Sequence, residues 1–473
     1  MLQRMKRFSK KELSQIHDAS MELLTSTGVA FHDDEALKYF RNHGVKVEGQ
    51  VVFVEERHVI EALKTTPSSF TIRARNSKKS VNVGGRSLVF APGFGAALMV
   101  TKDGDQRPPT MEDYNNFCKL VHTSKHIDMN GIIMVEPPDL SSQTAHLEML
   151  RSNILLCDKP FLGGSASRQA AIDSIEMAAR VWGGKNEIKN KPVMMPIVSA
   201  LSPLRYSNEM AGCLIEYARY GQPVLIGQLM MAGSTGPISL PGLLTVQNAE
   251  LLAGVVLTQI VNPGTPVVYG TTSSITDLRN GTLAIGAPEL SMIQSATIQM
   301  GRFYKLPRRG SGGLTDAHFP DVQAGMESAL ALTTAVMSGA NFILHACGIL
   351  SSYLAMSYEK FLVDEEFCGM LRRMMKAMRI SPESLDLEII KEVGIGGQYL
   401  THPNTLARCR TEFFIPELMQ RVNYEEWKTK GKKRLDQKAS DMVSKRLAEY
   451  EKPDIDLSIK RDLTAYINKR TGR

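Results

Sequence analysis

The sequence predicts an α/β protein built on a closed (β/α)8 TIM barrel, and three features of the chain predict it. First, five short apolar runs begin with or just after a proline, at Pro160, Pro192, Pro223, Pro266 and Pro307. Proline is tolerated at the first residue of a strand, where no ladder donor is needed. Second, these prolines stand 32, 31, 43 and 41 residues apart, the size of a strand-loop-helix-loop unit. Third, the segments between them read as helices. Gln247 to Val261 carries Leu251, Leu252, Val255, Val256 and Ile260 at helical spacing and stops before Pro263-Gly264. Continuously apolar strands alternating with helices make a parallel sheet covered on its outside, and this many units favours a closed barrel over an open doubly wound sheet. No GxGxxG fingerprint sits at a first strand-to-helix turn, which lowers the dinucleotide-binding alternative further.

Taken in order, the chain opens with a helical preface. Ser9 and Glu12 form a capping box before Leu13, Ile16 and Leu23, and two short helices fit Glu35 to His43 and Glu55 to Lys64. A β-rich piece comes next, with Ser80 to Val83 and Ser87 to Phe90 about a Gly84-Gly85 turn, then Ala96 to Val100 before Asp103-Gly104. Its tip, Ala91-Pro92-Gly93-Phe94-Gly95, is an aromatic between two glycines that overhangs a pocket or serves as a plain loop. Adding Met129 to Val135 and Phe342 to His345 to the five proline-led runs gives seven strands. The eighth comes from the Ser87 to Val100 region or from the segment after Leu385. The expected division is 1–110 for helices and β-hairpins packed on the barrel, 111–400 for the barrel, and 401–473 for a C-terminal helical extension.

Composition narrows the function classes. The 473 residues are 43% hydrophobic and 22% charged, ordinary for a globular protein, and the formal net charge is +7. Five Lys or Arg stand in the first eleven residues with no acid, and the last fifty hold fourteen basic against nine acidic residues. The middle is therefore slightly acidic. No basic stripe with aromatic interleaving marks the body for nucleic acid, and the basic ends read as solvated helices or docking surface. Six scattered cysteines without a CxxC pair argue against a disulfide framework or a structural zinc site. No uninterrupted apolar run nears the roughly 20 residues of a membrane span, so a cytoplasmic protein is the expectation.

The stretch from Leu306 to His345 carries the chemistry. It reads as a strand ending in Arg309, the glycine loop Gly310-Ser311-Gly312-Gly313, a helix, and a second strand ending at His345. In a parallel barrel both side chains emerge at the end where loops build active sites. Arg309 alternatively forms a salt bridge with Asp316 or Asp321. His345 alternatively sits satisfied in the core or binds a metal with Cys347. The loops Ser199 to Ser207, Gln228 to Pro241, Thr271 to Gly286 and Gly310 to Asp321 are long and rich in Gly, Ser, Thr and Met. Loops of that kind can approach a large flat ligand closely, or are flexible connections.

Several runs together resemble a known family. They are Met231-Ala232-Gly233-Ser234-Thr235-Gly236-Pro237-Ile238, Gln247 to Gly254, Pro263 to Gly270, Gly312-Gly313-Leu314-Thr315-Asp316, Asp321 to Glu327 and Ser357-Tyr358-Glu359-Lys360-Phe361. In this order, over roughly residues 10 to 420, the chain is similar to the trimethylamine methyltransferase family. The resemblance implies a barrel enzyme moving a methyl group from an amine to the cobalt of a corrinoid (cobalamin) carried by a separate corrinoid-binding protein. Trimethylamine enzymes carry an in-frame amber codon read as pyrrolysine, and this chain has only standard residues. It thus resembles the non-pyrrolysine branch, whose characterised members, glycine betaine methyltransferase among them, demethylate quaternary amines.

That resemblance implies a direct displacement with no catalytic side chain, because a quaternary ammonium leaves as a neutral amine. Orientation and exclusion of water then carry the catalysis. Arg309 and His345 are expected to hold a betaine carboxylate, and Phe94, Tyr269, Tyr353 and Phe361 to wall the cation. If His345 must be protonated for this, its titration near 6.5 should show in binding. Gly233, Ser234, Gly236, Gly312, Gly313 and Asp316 are expected to face the corrinoid, with Met230 and Met231 padding it. No metal is expected, and a homo-oligomer is. The competing readings are a zinc-dependent barrel methyltransferase using His345, Cys347 and a loop acid, and a betaine-binding module without turnover.

Overall fold

The computed structural model describes residues 4–141 and 144–472. Residues 1–3 of the expected preface and Arg473 of the expected extension lie outside it. Eight strands and eight helices alternate. The strands are Val89–Phe90 (β1), residues 128–130 (β2), Phe161–Leu162 (β3), Met194–Met195 with Ile197–Ser199 (β4), Val224–Gly227 (β5), Val267–Gly270 (β6), Arg308–Ser311 (β7) and Phe342–Leu344 (β8). The helices are Met111–Thr123 (α1), Ala145–Leu156 (α2), Arg168–Trp182 (α3), Asn208–Arg219 (α4), Leu240–Val261 (α5), Pro288–Phe303 (α6), Val322–Ser338 (α7) and Tyr358–Met375 (α8).

From β4 round to β8 and on to β1 the sheet is continuous and parallel. β3 pairs with the first half of β4. The ring closes through β2, where the amides of Asp128 and Met129 donate to the Phe90 carbonyl and Asn130 bridges Phe161. The eighth strand is therefore Val89–Phe90, from the first of the two regions expected for it, and it precedes residue 111. Buried valines, leucines and isoleucines on both strand faces explain the unbroken apolar runs, since helices cover the outside and side chains fill the inside.

The expected hairpin about Gly84-Gly85 does not form. Val81–Gly84 pairs backwards with Ser69–Ile72, while Val89–Phe90 is taken by β8. A turn signal reports a local reversal, and here two non-local partners decide the pairing. The preface does hold other hairpins, Lys46–Glu48 with Val51–Phe53 and Leu98–Val100 with Gln106–Arg107. By length and composition alone α5 could cross a bilayer. It is mostly buried instead, packed on the helices Lys10–Ser26 and Glu56–Thr65 and on α4, as a core helix.

Two C-terminal helices strap the outside. Leu435–Ala448 lies on α8 and α1, and Leu457–Thr471 on α3 and α2. The second is held by one carboxylate. Asp173 is fully buried and accepts from His146 Nε2 at 2.8 Å, Tyr466 OH at 2.7 Å, Arg470 Nε at 2.9 Å and Gln169 Nε2 at 3.0 Å. Asp173→Ala would leave those donors without an acceptor and should cost about 2–3 kcal/mol in urea unfolding. Hydrogen exchange should rise selectively across 457–471, and unchanged protection there would show that apolar packing alone holds the strap.

Candidate active site

The site begins with the pleat of β7. Arg308 points outward and donates to the carbonyls of Gly339, Leu306 and Gly85. Arg309 therefore points inward, and it is fully buried. Its stem crosses two glycines on neighbouring strands. A Cβ on Gly270 of β6 would lie 2.4 Å from the Arg309 Cβ, and one on Gly227 of β5 would lie 3.6 Å from Nη1. The first contact is impossible for a real side chain, so Gly270 is required for Arg309 to fit.

The guanidinium meets the His345 ring, Nη2 lying 3.1 Å from Nδ1, while Nε and Nη1 are buried without a partner. Among the described residues no carboxylate pairs with it. Asp316 accepts from the amides of Ile285 and Gly286 at 2.8 and 2.9 Å and from Ser352 Oγ, and Asp321 caps α7 through the Ala324 amide. The salt-bridge alternative is thus overturned. Burial lowers the Arg309 pKa to about 10, which leaves it cationic at neutral pH.

His345 comes directly after β8 with a left-handed backbone, φ 60°. Burial, then the Arg309 charge, push its pKa well below the ordinary value, so the imidazole is neutral. A guanidinium only donates, which makes Nδ1 the acceptor and places the proton on Nε2. The expected titration near 6.5 is therefore not a property of the folded site. Two rings border the imidazole, Tyr353 at 4.9 Å and Phe94 edge-on at 6.4 Å between centroids. Both rings are partly exposed.

Tyr353 sits on a strained turn. Ser351, Ser352 and Tyr353 all have positive φ, at 51°, 53° and 78°. Such conformations cost on the order of 1 kcal/mol or more each for non-glycine residues and persist only where surroundings fix them. Here Ser351 N donates to Ala317 O, Ser352 N to Thr315 O, Ser352 Oγ to Asp316, and the Tyr353 hydroxyl meets Thr272 Oγ1. The loops after β6, β7 and β8 are tied into one piece above Arg309. Gln228, one residue past Gly227, adds an amide whose nitrogen and oxygen are both buried without partners.

Other expected site residues lie elsewhere. Tyr269 points outward, donating to Asn248 Oδ1 at 2.7 Å with its ring 5.9 Å from Tyr304. Phe361 packs on Phe117 between α8 and α1. Gly312 and Gly313 are buried, because the His345 carbonyl occupies the place of a Gly312 side chain at 2.0 Å. Asp316 clamps loops, and Met230 is buried beneath Gly236. Cys347 lies by Cys368 and Asp364 of α8, whereas His345 faces Arg309, so the pair does not converge as metal ligands. Gly233 and Ser234 are exposed on a turn closed by the Met231 and Gly236 carbonyls, with Gly236 half-buried.

Around that turn lies a rim that the sequence did not point to. Leu201, Leu229, Ile238, Leu278 and Leu354 are all exposed, on the loops after β4, β5, β6 and β8 at one end of the barrel. Their signal in the sequence is faint, a lone large apolar residue inside each Gly/Ser-rich loop.

Fold and pocket together are those of a (β/α)8-barrel enzyme with its chemistry at the C-terminal ends of the strands. The trimethylamine methyltransferase (MTTB) family profile matches residues 1–473. A glycine betaine methyltransferase of Desulfitobacterium hafniense (strain Y51) is 43% identical over 462 residues, covering 98% of this chain and 96% of that protein. A proline betaine:corrinoid methyltransferase of Eubacterium limosum is 34% identical, covering 97% and 96%. The crystal structure of the Methanosarcina barkeri monomethylamine methyltransferase (MtmB) superposes with a TM-score of 0.54 at 13% identity, covering 95% of this chain and 90% of that one, a likeness of fold alone. The chain belongs to the trimethylamine methyltransferase family.

The unpaired cation makes a counter-intuitive expectation. Replacing Arg309 with methionine, of similar length and no charge, should stabilise the ligand-free fold by about 1–2 kcal/mol, because a buried charge without a partner is removed. Urea unfolding of Arg309→Met without added ligand checks this. Destabilisation would mean that the guanidinium is already satisfied inside the protein.

Proposed function

We propose that this protein transfers a methyl group from a betaine, a zwitterion with a carboxylate close to a quaternary ammonium, to the corrinoid of a partner protein. The carrying observation is the buried Arg309 guanidinium, which has no acid to neutralise it. A carboxylate there would gain two charge-assisted hydrogen bonds from Nε and Nη1. A bare cation there would be repelled. The ammonium end would lie outward against the Phe94 and Tyr353 rings, each worth about 0.5–2 kcal/mol to a desolvated cation. The relatives named for glycine betaine and proline betaine, both carboxylated quaternary amines, support this class.

In the transfer the methyl–nitrogen bond breaks with its electron pair retained on nitrogen, and the amine leaves neutral. The partner's corrinoid supplies the Co(I) nucleophile that receives the methyl. The chain's own part is positional: Arg309 fixes the carboxylate, neutral His345 fixes Arg309, and the Tyr353 turn holds a wall over both. Neither a general acid nor a protein nucleophile is needed. The apolar rim of Leu201, Leu229, Ile238, Leu278 and Leu354, with small residues at Gly233 and Ser234, suits a flat macrocycle brought to the barrel mouth. Six free cysteines, five of them buried, fit a reducing cytoplasm.

Two outcomes test this reading. By calorimetry, Arg309→Met should weaken glycine betaine about ten- to a hundred-fold and tighten tetramethylammonium relative to the parent; equal weakening of both would remove Arg309 from carboxylate recognition. Betaine binding should stay level from about pH 6 to 9, with His345 neutral and Arg309 charged throughout, and fall as pH rises through the Arg309 value of about 10. A step near 6.5 would instead require a protonated His345.

A further inference from the structure

We propose that residues 376–424 form the surface through which two copies of this chain associate. This stretch leaves the barrel after α8 and returns before Leu435–Ala448. Its two longer helices, Leu387–Val393 and Pro403–Glu412, contain no buried residue. Helices of that length are marginal in water unless a face is covered. Their apolar side chains are bare: Met378, Ile380, Ile395, Leu400 and Leu406 are each at least 80% exposed. A cleft of about 1080 Å³ opens beside them, lined in part by Met378, Ile380, Leu385 and Phe413. Exposed apolar surface on this scale marks an interaction site.

The stretch is nonetheless organised. Arg408 pairs with Asp386 at 3.1 Å, and His402 caps the second helix through the Asn404 amide. Its return is anchored by Glu366, whose carboxylate accepts from the amides of Glu417, Leu418 and Met419 at 2.6–2.7 Å. The arm is thus held out from the body at two fixed roots.

Position and charge select the occupant. Both roots lie at the N-terminal end of the barrel, where the last turn of α8 meets residues 124–128 through Arg372 and Asp128. The Arg309 pocket opens at the other end, so a protein that delivers a corrinoid to it cannot be seated here at the same time. Within 376–424 six Lys or Arg stand against six Asp or Glu. That balance gives a nucleic acid or an anionic membrane no field to follow. A mixed-sign apolar face is self-complementary, as an isologous interface between identical subunits requires.

Sedimentation of the full-length protein at micromolar concentration should give twice the chain mass. Leu400→Asp combined with Leu406→Asp should weaken self-association about tenfold or more, with methyl transfer to added corrinoid protein unchanged. Hydrogen exchange on the unaltered chain needs no variant: amides of 387–412 should gain protection as protein concentration rises. A chain that sediments at its own mass, a double variant that associates as tightly as the parent, or protection that appears only when the corrinoid protein is added would each overturn the proposal.

Discussion

A full positive charge buried without a negative partner is the constraint on which the site depends. An uncompensated ion inside a protein costs several kcal/mol even after relaxation, and Arg309 has only a neutral imidazole beside it. Everything near it accommodates that charge rather than quenching it. Gly270 and Gly227 give its stem room, the pleat of β7 aims it inward, and the neighbouring acids are engaged elsewhere. The barrel's large core tolerates the local penalty, and the penalty makes the pocket selective for an anion attached to its substrate.

The loops above show the same economy of means. Asp316 joins the loops after β6 and β8, and three successive left-handed residues hold Tyr353 in place. Such a wall is set before the substrate arrives, so less ordering entropy is lost on binding. Position is what a displacement without acid or base needs most. The exposed leucines and Ile238 ring that wall without entering it.

How much of this was legible in the sequence depended on whether the signal was local. Proline-led apolar runs marked the barrel strands because proline is confined to strand starts, and Val89–Phe90 lay in one of the two regions expected to supply the eighth. The Gly84-Gly85 turn misled, since the partners of its flanks are Ser69–Ile72 and β8. Arg309 and His345 were readable from a cation and an imidazole at strand ends. Tyr269 was misplaced for a definite reason: a strand buried on both faces is apolar throughout, so its sequence does not say which residues face inward. The neutrality of His345 was invisible too, because it comes from burial and from a charge 36 positions away in the chain. Gly312 and Gly313 looked like open loop, yet the His345 carbonyl fills their space.

The way the ring closes bears on mechanics. Six of its eight junctions are regular parallel strand pairs. Residues 128–130 join their two neighbours by a few bonds and a single bridge. That seam lies across the ring from β6, and β5 to β8, which carry the pocket, form the continuous arc opposite. Under heat or load the cylinder has a built-in place to part, far from Arg309. The barrel can therefore breathe like a cuff with one loose fastening, while the arc that grips the substrate keeps its curvature.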